Sequence, residues 1–307
     1  MMKRRKFLRR IGQTSGLFLL GAGMQPVLLS CAGNVSTPVA SPSSTQATSI
    51  SSSGLRSPGL LQWGSDSVAG APYVFNNPTN PSQLIGYEVE IAEAIAQLMG
   101  AKATQVQTNY PQLAAALDAK RFDFILNGWE VTPDREKTQI FSQPYYRYGQ
   151  QIVVRSDDPR FKDVNETSDF TLKDLAGMAV GTGLGFKAEE ILRADPQIKT
   201  RAYDGNLPFD DLAQKRIDAI LIDIPMVAYY VLGAGPEGKP NSALKPVGKP
   251  LYLNNYVIAF NKSDPKAATL QQEIDQALQT LKQDGTLKAI YQRWKLWNDQ
   301  QAEIGIT

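Results

Sequence analysis

The chain has 307 residues, of which 42% are apolar, 20% charged and 9% aromatic, a mixture that supports a sizeable core and rules out wholesale disorder. It contains no histidine, so Ser-His-Asp and Cys-His relays, histidine-ligated zinc and imidazole general bases are all excluded. The formal charge of +2 misleads: residues 1–30 carry six Lys or Arg and no acid, which leaves 26 basic against 30 acidic residues and no positive surplus for nucleic-acid phosphates.

The chain opens with Lys3-Arg4-Arg5-Lys6-Phe7-Leu8-Arg9-Arg10 and an apolar run from Ile11 to Leu29 that ends at Ser30-Cys31. Residues 1–30 read as an export signal. Gln13, Thr14, Ser15, Gln25 and Pro26 interrupt the run, whereas a membrane-spanning helix needs about 20 consecutive apolar residues. Arg4-Arg5-Lys6-Phe7-Leu8 resembles a twin-arginine signal, although basic residues also open ordinary secretory signals. Leu28-Leu29-Ser30-Cys31 resembles a bacterial lipobox, whose cysteine is acylated. Cys31 is the only cysteine, which excludes an intrachain disulfide and makes it the expected lipid attachment point. Residues 31–58 are rich in Ser, Thr, Pro, Ala and Gly, with Arg56 the one charged residue, and predict a disordered tether with a reach of about 30 Å.

Residues 59–307 suit two lobes of ordinary domain size. Short apolar strands alternate with amphipathic helices, an α/β pattern. Strands are predicted at Leu60–Gly64, Ala103–Gln107 and Phe122–Leu126, and helices at Tyr87–Met99 and Pro111–Lys120. The pattern restarts after residue 150, with strands at Gln151–Val154, Met178–Thr182 and Ile217–Ile222. Helices follow at Phe186–Arg193, Pro208–Gln214 and Pro225–Leu232. A strand at Tyr256–Phe260 and helices at Pro265–Gln283 and Thr286–Trp297, separated by Asp284-Gly285, complete the chain.

Several ordered segments carry a resemblance: Gly64-Ser65-Asp66 with Ala71-Pro72-Tyr73; Leu84 to Ala92; Val131-Thr132-Pro133-Asp134-Arg135; Phe141 to Tyr146; Leu172 to Gly177; Ile217-Asp218-Ala219; Asp223 with Pro225; and Asp284-Gly285-Thr286. Across residues 60–297 the chain resembles the extracytoplasmic solute-binding proteins of ABC importers, in the polar amino-acid-binding family 3. The resemblance implies the type II periplasmic binding protein fold, two α/β lobes joined by two crossing strands and closing on a ligand. The crossings are expected near Gln150–Val154 and Leu251–Ala259. One lobe then comprises residues 59–150 plus 255–307 and the other residues 151–254.

A free amino acid presents a carboxylate beside an ammonium, so its receptor needs a fixed cation facing a fixed anion. Arg135 follows a Thr-Pro pair at the family's carboxylate-binding position, and its planar fork suits two parallel hydrogen bonds. On this reading Arg135→Lys weakens binding tenfold or more. Asp223 ends a buried strand, where open α/β sheets place ligands, and matches the family's amine-binding aspartate. Taken alone, Arg135 reads as a solvated helix-start residue and Asp223 as a helix cap. The run Gly181-Thr182-Gly183-Leu184-Gly185-Phe186 lacks the last glycine of a dinucleotide fingerprint. Gly183, Gly185, Phe186 and Lys187 read better as a backbone clamp for an anion at a helix start. Glu130, in Asn127-Gly128-Trp129-Glu130, stands where relatives carry Ser or Thr; it either holds the ligand's amine or pairs with Lys187 across the cleft. Trp129 and Tyr73 are candidate walls, and Asp66 is a candidate for the ligand's side chain. Three carboxylates against Arg135 and Lys187 make a cationic ligand conceivable, with a neutral polar one ranked above it.

The expected function is a substrate-binding lipoprotein of the periplasm or outer surface that acts as a monomer without cofactor or metal. It hands a free polar or charged L-amino acid to the permease subunits of an ABC importer and their ATPase, and touches the membrane through lipid on Cys31. The alternative is an enzyme on the same scaffold, a cyclohexadienyl dehydratase-like lyase acting on a small carboxylic acid, with Glu130 as general acid or base. A sensing module that signals through a partner is a third class.

Overall fold

The computed structural model describes residues 50–68, 70–205 and 207–307. The export signal, Cys31 and the first part of the expected tether lie outside the described residues.

The first apolar run forms β1 (Leu60–Ser65), and an antiparallel hairpin of β2 (Phe75–Asn77) and β3 (Asn80–Ile85) leads into α1 (Tyr87–Leu98). Ile91, Ala92, Ile95, Ala96 and Leu98 recur at helical spacing on α1 and are all buried, so the apolar stripe is the face turned to the core. Next come β4 (Lys102–Gln107), a 3-10 turn at Tyr110–Gln112, α2 (Leu113–Asp118), β5 (Phe124–Ile125), α3 (Arg135–Thr138) and β6 (Gln139–Phe141). The strand expected over Phe122–Leu126 narrows to β5, although Asp123 and Leu126 still donate their N–H groups to Gln62 and Gly64 of β1.

β7 (Tyr146–Arg155) then leaves this region for the second lobe, which holds β8 (Ala179–Gly183), α4 (Lys187–Arg193), β9 (Lys199–Tyr203), α5 (Phe209–Ala213), β10 (Ala219–Asp223) and α6 (Ile224–Tyr230). β11 (Leu244–Tyr256) returns to the first lobe, where β12 (Ala259–Asn261), α7 (Ala267–Gln283) and α8 (Thr286–Arg293) finish it. The single strand expected over Tyr256–Phe260 is split. Val257 donates its N–H to the Trp129 carbonyl and Ile258 donates to Ser142 Oγ, which turns the chain from one sheet into the other.

The first sheet runs β4-β1-β5-β12-β6 and the second β11-β7-β10-β8-β9. β1 is parallel to β4 and β5, and β8 is parallel to β10 and β9; residues at or just past the carboxyl ends of β1, β5, β8 and β10 line one cavity between the lobes. β7 and β11 pair antiparallel across that junction, with register breaks between Val247 and Leu251 and between Leu251 and Asn254. Such bulges bend and twist a ladder, here between the Tyr146–Tyr256 pair in one lobe and the Val247–Ile152 pair in the other.

Residues 50–58, expected in the tether, instead pack on the first lobe. Ile50 and Leu55 are buried, and Ile50 donates its N–H to the Leu98 carbonyl at 2.7 Å. The Glu273 carboxylate accepts from Ser52 Oγ and from the N–H groups of Ser53 and Gly54. Composition alone misses this, because two apolar side chains and one buried acid suffice to order a Ser-rich stretch. Truncation after residue 58 is expected to cost about 3 kcal/mol relative to truncation after residue 49, compared by urea unfolding of the two chains.

Candidate functional site

The carboxyl ends of β1, β5, β8 and β10 surround a cavity of about 40 Å³ between the lobes. Asp66, Tyr73, Asn127 and Gly128 line it from the first lobe, and Gly183, Phe186, Asp223 and Met226 from the second. Tyr110 and Phe186 meet edge-to-face across the junction with ring centroids 4.8 Å apart. A molecule the size of an amino acid therefore reaches the interior only when the lobes part.

Asp223 is the last residue of β10, and its side chain is held rather than free. Gln150 Nε2 donates to Oδ1 at 2.6 Å, while the hydroxyls of Tyr256 and Tyr73 donate to Oδ2. Burial pushes the Asp223 carboxyl up to about 7, the nearby Glu130 carboxylate pushes in the same direction, and the three donors oppose both. Tyr73 thus supplies more than the wall read from the sequence, since its hydroxyl also lies 2.8 Å from that of Tyr256.

Asp66 faces the cavity but already accepts the N–H groups of Val68 and Tyr110 and the Gln107 amide, each at 3.0 Å. Asn127 accepts the Asp66 N–H at 2.8 Å, tying the end of β5 to the end of β1. Gly128 has φ +55, and a Cβ there would meet the Tyr73 ring at 2.9 Å, so the turn needs glycine on both counts. Its N–H donates at 2.7 Å to Glu88, a fully buried acid whose pKa burial raises to about 7 and which also accepts the Tyr145 hydroxyl.

Arg135 and Glu130 depart from the sequence reading. Arg135 Nη1 donates to Glu130 Oε2 at 2.7 Å and to the Glu130 carbonyl at 2.9 Å, with the two side chains 14% and 2% exposed. The guanidinium lies 3.4 Å above the Trp129 ring, and Nη2 reaches the Tyr110 hydroxyl at 3.5 Å. The structure therefore does not place Arg135 on the wall shared by Asp223. It lines a neighbouring, more open recess of about 300 Å³, with Glu130, Gly185 and Lys187; Phe186 faces both spaces. Glu130 does not pair with Lys187, whose Nζ sits 2.6 Å from Glu190 one helical turn away. Trp129 is no ligand wall: it is buried among Leu113, Leu117 and Phe122, and its Nε1 donates to Gln139 at 2.9 Å.

The expected anion clamp is also spent internally. Gly185 donates its N–H to Glu189 Oε2 at 2.7 Å, Leu184 to the Tyr203 carbonyl and Phe186 to the Gly183 carbonyl. Glu189 is the first-turn acid that a short helix start attracts, so the same dipole that would hold a ligand holds the chain's own side chain. Gly183 itself does line the cavity, and a Cβ there would strike the Phe186 ring at 2.5 Å.

Sequence reasoning missed Tyr110, Tyr148, Gln150 and Tyr256. Tyr148 and Tyr256 stack at 4.0 Å on the two crossing strands, and Tyr148 donates to Glu130 Oε1 at 3.3 Å. The one available signal was the crowding of Tyr145, Tyr146 and Tyr148 before a predicted strand. Among the described residues that line the cavity three are aspartates, with Asp204 the third, and none is Lys or Arg. Among the described residues no group of three or more Asp, Glu or Cys is placed to hold a metal ion.

Two α/β lobes, two crossing strands and an acid-walled cleft between them define a receptor that closes on a small solute. The chain belongs to the bacterial extracellular solute-binding proteins, family 3, whose sequence pattern matches residues 63–296. It is 32% identical over 225 residues to the L-cystine-binding protein TcyJ of Escherichia coli (strain K12), covering 73% of this chain and 78% of that one. The ABC transporter arginine-binding protein 1 of the same organism is 26% identical over 215 residues, covering 69% and 82%. Among solved structures, an ancestral arginine-binding protein bound to arginine superposes with a TM-score of 0.65 at 28% identity, covering 77% of this chain and 98% of that one. The ancestral amino acid-binding protein AncCDT-1, a precursor of cyclohexadienyl dehydratase, gives 0.65 at 28%, covering 77% and 95%.

Proposed function

We propose that this chain captures a polar or cationic L-amino acid outside the cytoplasm and delivers it to the membrane subunits of an ABC importer. The observation that carries the reading is Asp223: a buried carboxylate at the carboxyl end of β10, facing an interlobe cavity whose described lining holds no cation. Such a carboxylate is most stable as an ion when an ammonium reaches it. Relatives named for arginine and cystine binding support the same ligand class. Closure follows from contacts made only when both lobes engage the ligand, with the bulged pair β7 and β11 as the bending element.

Calorimetric titration of the purified full chain against the twenty amino acids is expected to show saturable heat for at least one polar or basic member. No heat from any of them would contradict the reading. A lyase reading finds less support, because Glu130, its acid or base, is ion-paired to Arg135 and does not line the cavity beside Asp223.

Lipid on Cys31 would hold the receptor at the outer face of the membrane, since several acyl chains at about 0.8 kcal/mol per buried methylene anchor stably. The support is the order of apolar run, small residue and cysteine at Leu28-Leu29-Ser30-Cys31. Labelled fatty acid is expected to enter the protein in cells and to be absent from Cys31→Ala; equal labelling of both would refute the anchor.

A further inference from the structure

Gln150 lies at the middle of the crossing strands and commits its side chain to one contact. On β7 it pairs in register with Asp223 of β10 on one side and with Leu251 of β11 on the other, between the two register breaks. The side chain is fully buried; Nε2 donates to Asp223 Oδ1 at 2.6 Å, while Oε1 has no partner among the described residues. A buried carbonyl oxygen left unpaired is costly, so the amide forgoes a partner for its acceptor in order to supply one N–H to the carboxylate. Turned over, it would aim Oε1 at Asp223, a contact that is favourable only when that acid carries a proton. Tyr148, two residues back on the same face of β7, donates in like manner to Glu130 Oε1. One strand face therefore holds two acids that repel each other, Glu130 from the first lobe and Asp223 from the second.

We infer that Gln150 is a positioning residue of the amine site: the strand that bends between the lobes also holds Asp223 as an aimed carboxylate for the ligand's ammonium. The inference rests on the reading of the interlobe cleft as an amine site and adds the residue that readies its acid. Burial and then Glu130 drive Asp223 toward its protonated form, and the donors on Tyr256, Gln150 and Tyr73 oppose them. The hydroxyls of Tyr110 and Tyr148 also face this carboxylate. Among the described residues the cations on elements packed against β10 are engaged elsewhere: Arg155 of β7 pairs with Asp158, and Lys187 and Arg193 of α4 pair with Glu190 and Glu189. β8 and α6 carry no Lys, Arg, Asp or Glu, and α5 carries only acids. Loss of the Gln150 amide is therefore uncompensated and favours the neutral acid, which an ammonium gains little by meeting.

The test is a carbon-13 NMR titration of the aspartate carboxyl carbons in the purified full chain without ligand, with the Asp223 signal assigned by its loss in Asp223→Asn. Gln150→Met keeps the length and bulk of the side chain and removes the donor. It is expected to raise the Asp223 midpoint by at least about one pH unit, a tenfold change in proton affinity. A residue that only fills space would leave the midpoint where it is. Should Gln150→Met fold poorly, the native chain decides alone: the nitrogen-15 signal of the Gln150 side-chain amide is expected to move with the same midpoint as the Asp223 carbon. An unmoved midpoint in Gln150→Met, or a Gln150 amide signal indifferent to the titration of Asp223, overturns the inference. Neither result touches the receptor reading, because no ligand takes part and the titration with the twenty amino acids decides that reading separately.

Discussion

Asp223→Ala is expected to weaken binding of an amine ligand by at least about thirtyfold, roughly 2 kcal/mol, the lower end of what truncating one partner of a buried hydrogen-bonded charge pair costs. The carboxylate faces the interlobe cavity, and Gln150, Tyr256 and Tyr73 fix its orientation before any ligand arrives. Asp223→Asn keeps the shape and separates two effects. Burial and Glu130 lift the folded carboxyl from 3.8 to about 7, so between those values the folded chain holds a proton that the unfolded chain has lost. The group's contribution to stability accordingly falls as pH rises from about 4 to about 7 and stays lost above that. Glu88, likewise lifted to about 7 by burial, adds a change of the same sign. Asn at position 223 removes one of the two, so thermal unfolding at pH 8 should give a higher Tm for Asp223→Asn than for the native chain while its ligand affinity drops. A lower Tm together with unchanged affinity would mean that the residue is purely structural.

Arg135→Met is expected to act mainly on stability, at a cost of about 3 kcal/mol, because removing one member of a buried pair leaves the other charge uncompensated. Glu130 is 2% exposed, and without the guanidinium its carboxylate retains only the hydroxyls of Tyr110 and Tyr148. The flat contact of the guanidinium on Trp129 is lost as well, so Arg135→Lys should also destabilise: a lysine ammonium does not stack flat over that ring, and it cannot meet Glu130 and the Tyr110 hydroxyl from two separate nitrogens. Urea unfolding at pH 7 measures both variants. Native stability in both, with affinity lost, would restore Arg135 to the role of ligand clamp that its sequence position suggests.

Much of the scaffold was legible in the sequence because it rests on short-range periodicity. The apolar positions of α1 and the run that ends in Asp223 repeat at the spacing their elements require, and both lie where that spacing puts them. Parts that depend on partners distant in sequence were not legible. Glu273 orders Ser52, Ser53 and Gly54 across more than two hundred residues, and no local composition reports that. Tyr256 reaches Asp223 and stacks on Tyr148 only because two strands cross between the lobes. Family position singled out Arg135, Asp66 and Asn127; Asp66 and Asn127 line the interlobe cavity, and Arg135 lines the neighbouring recess. It could not show that Glu130 would take up the arginine, since that outcome depends on which acid the fold brings to the guanidinium. The Gly183–Lys187 turn failed as an anion clamp for the same reason: Glu189, four residues on from Gly185, claimed the N–H first.

X-ray diffraction from crystals of the full chain grown with its tightest-binding amine tests the central claim most directly. The account predicts that the ligand's protonated nitrogen lies between the lobes, about 2.8 Å from a carboxylate oxygen of Asp223. A nitrogen held by other residues, or a ligand seated outside the space between the two sheets, would contradict it.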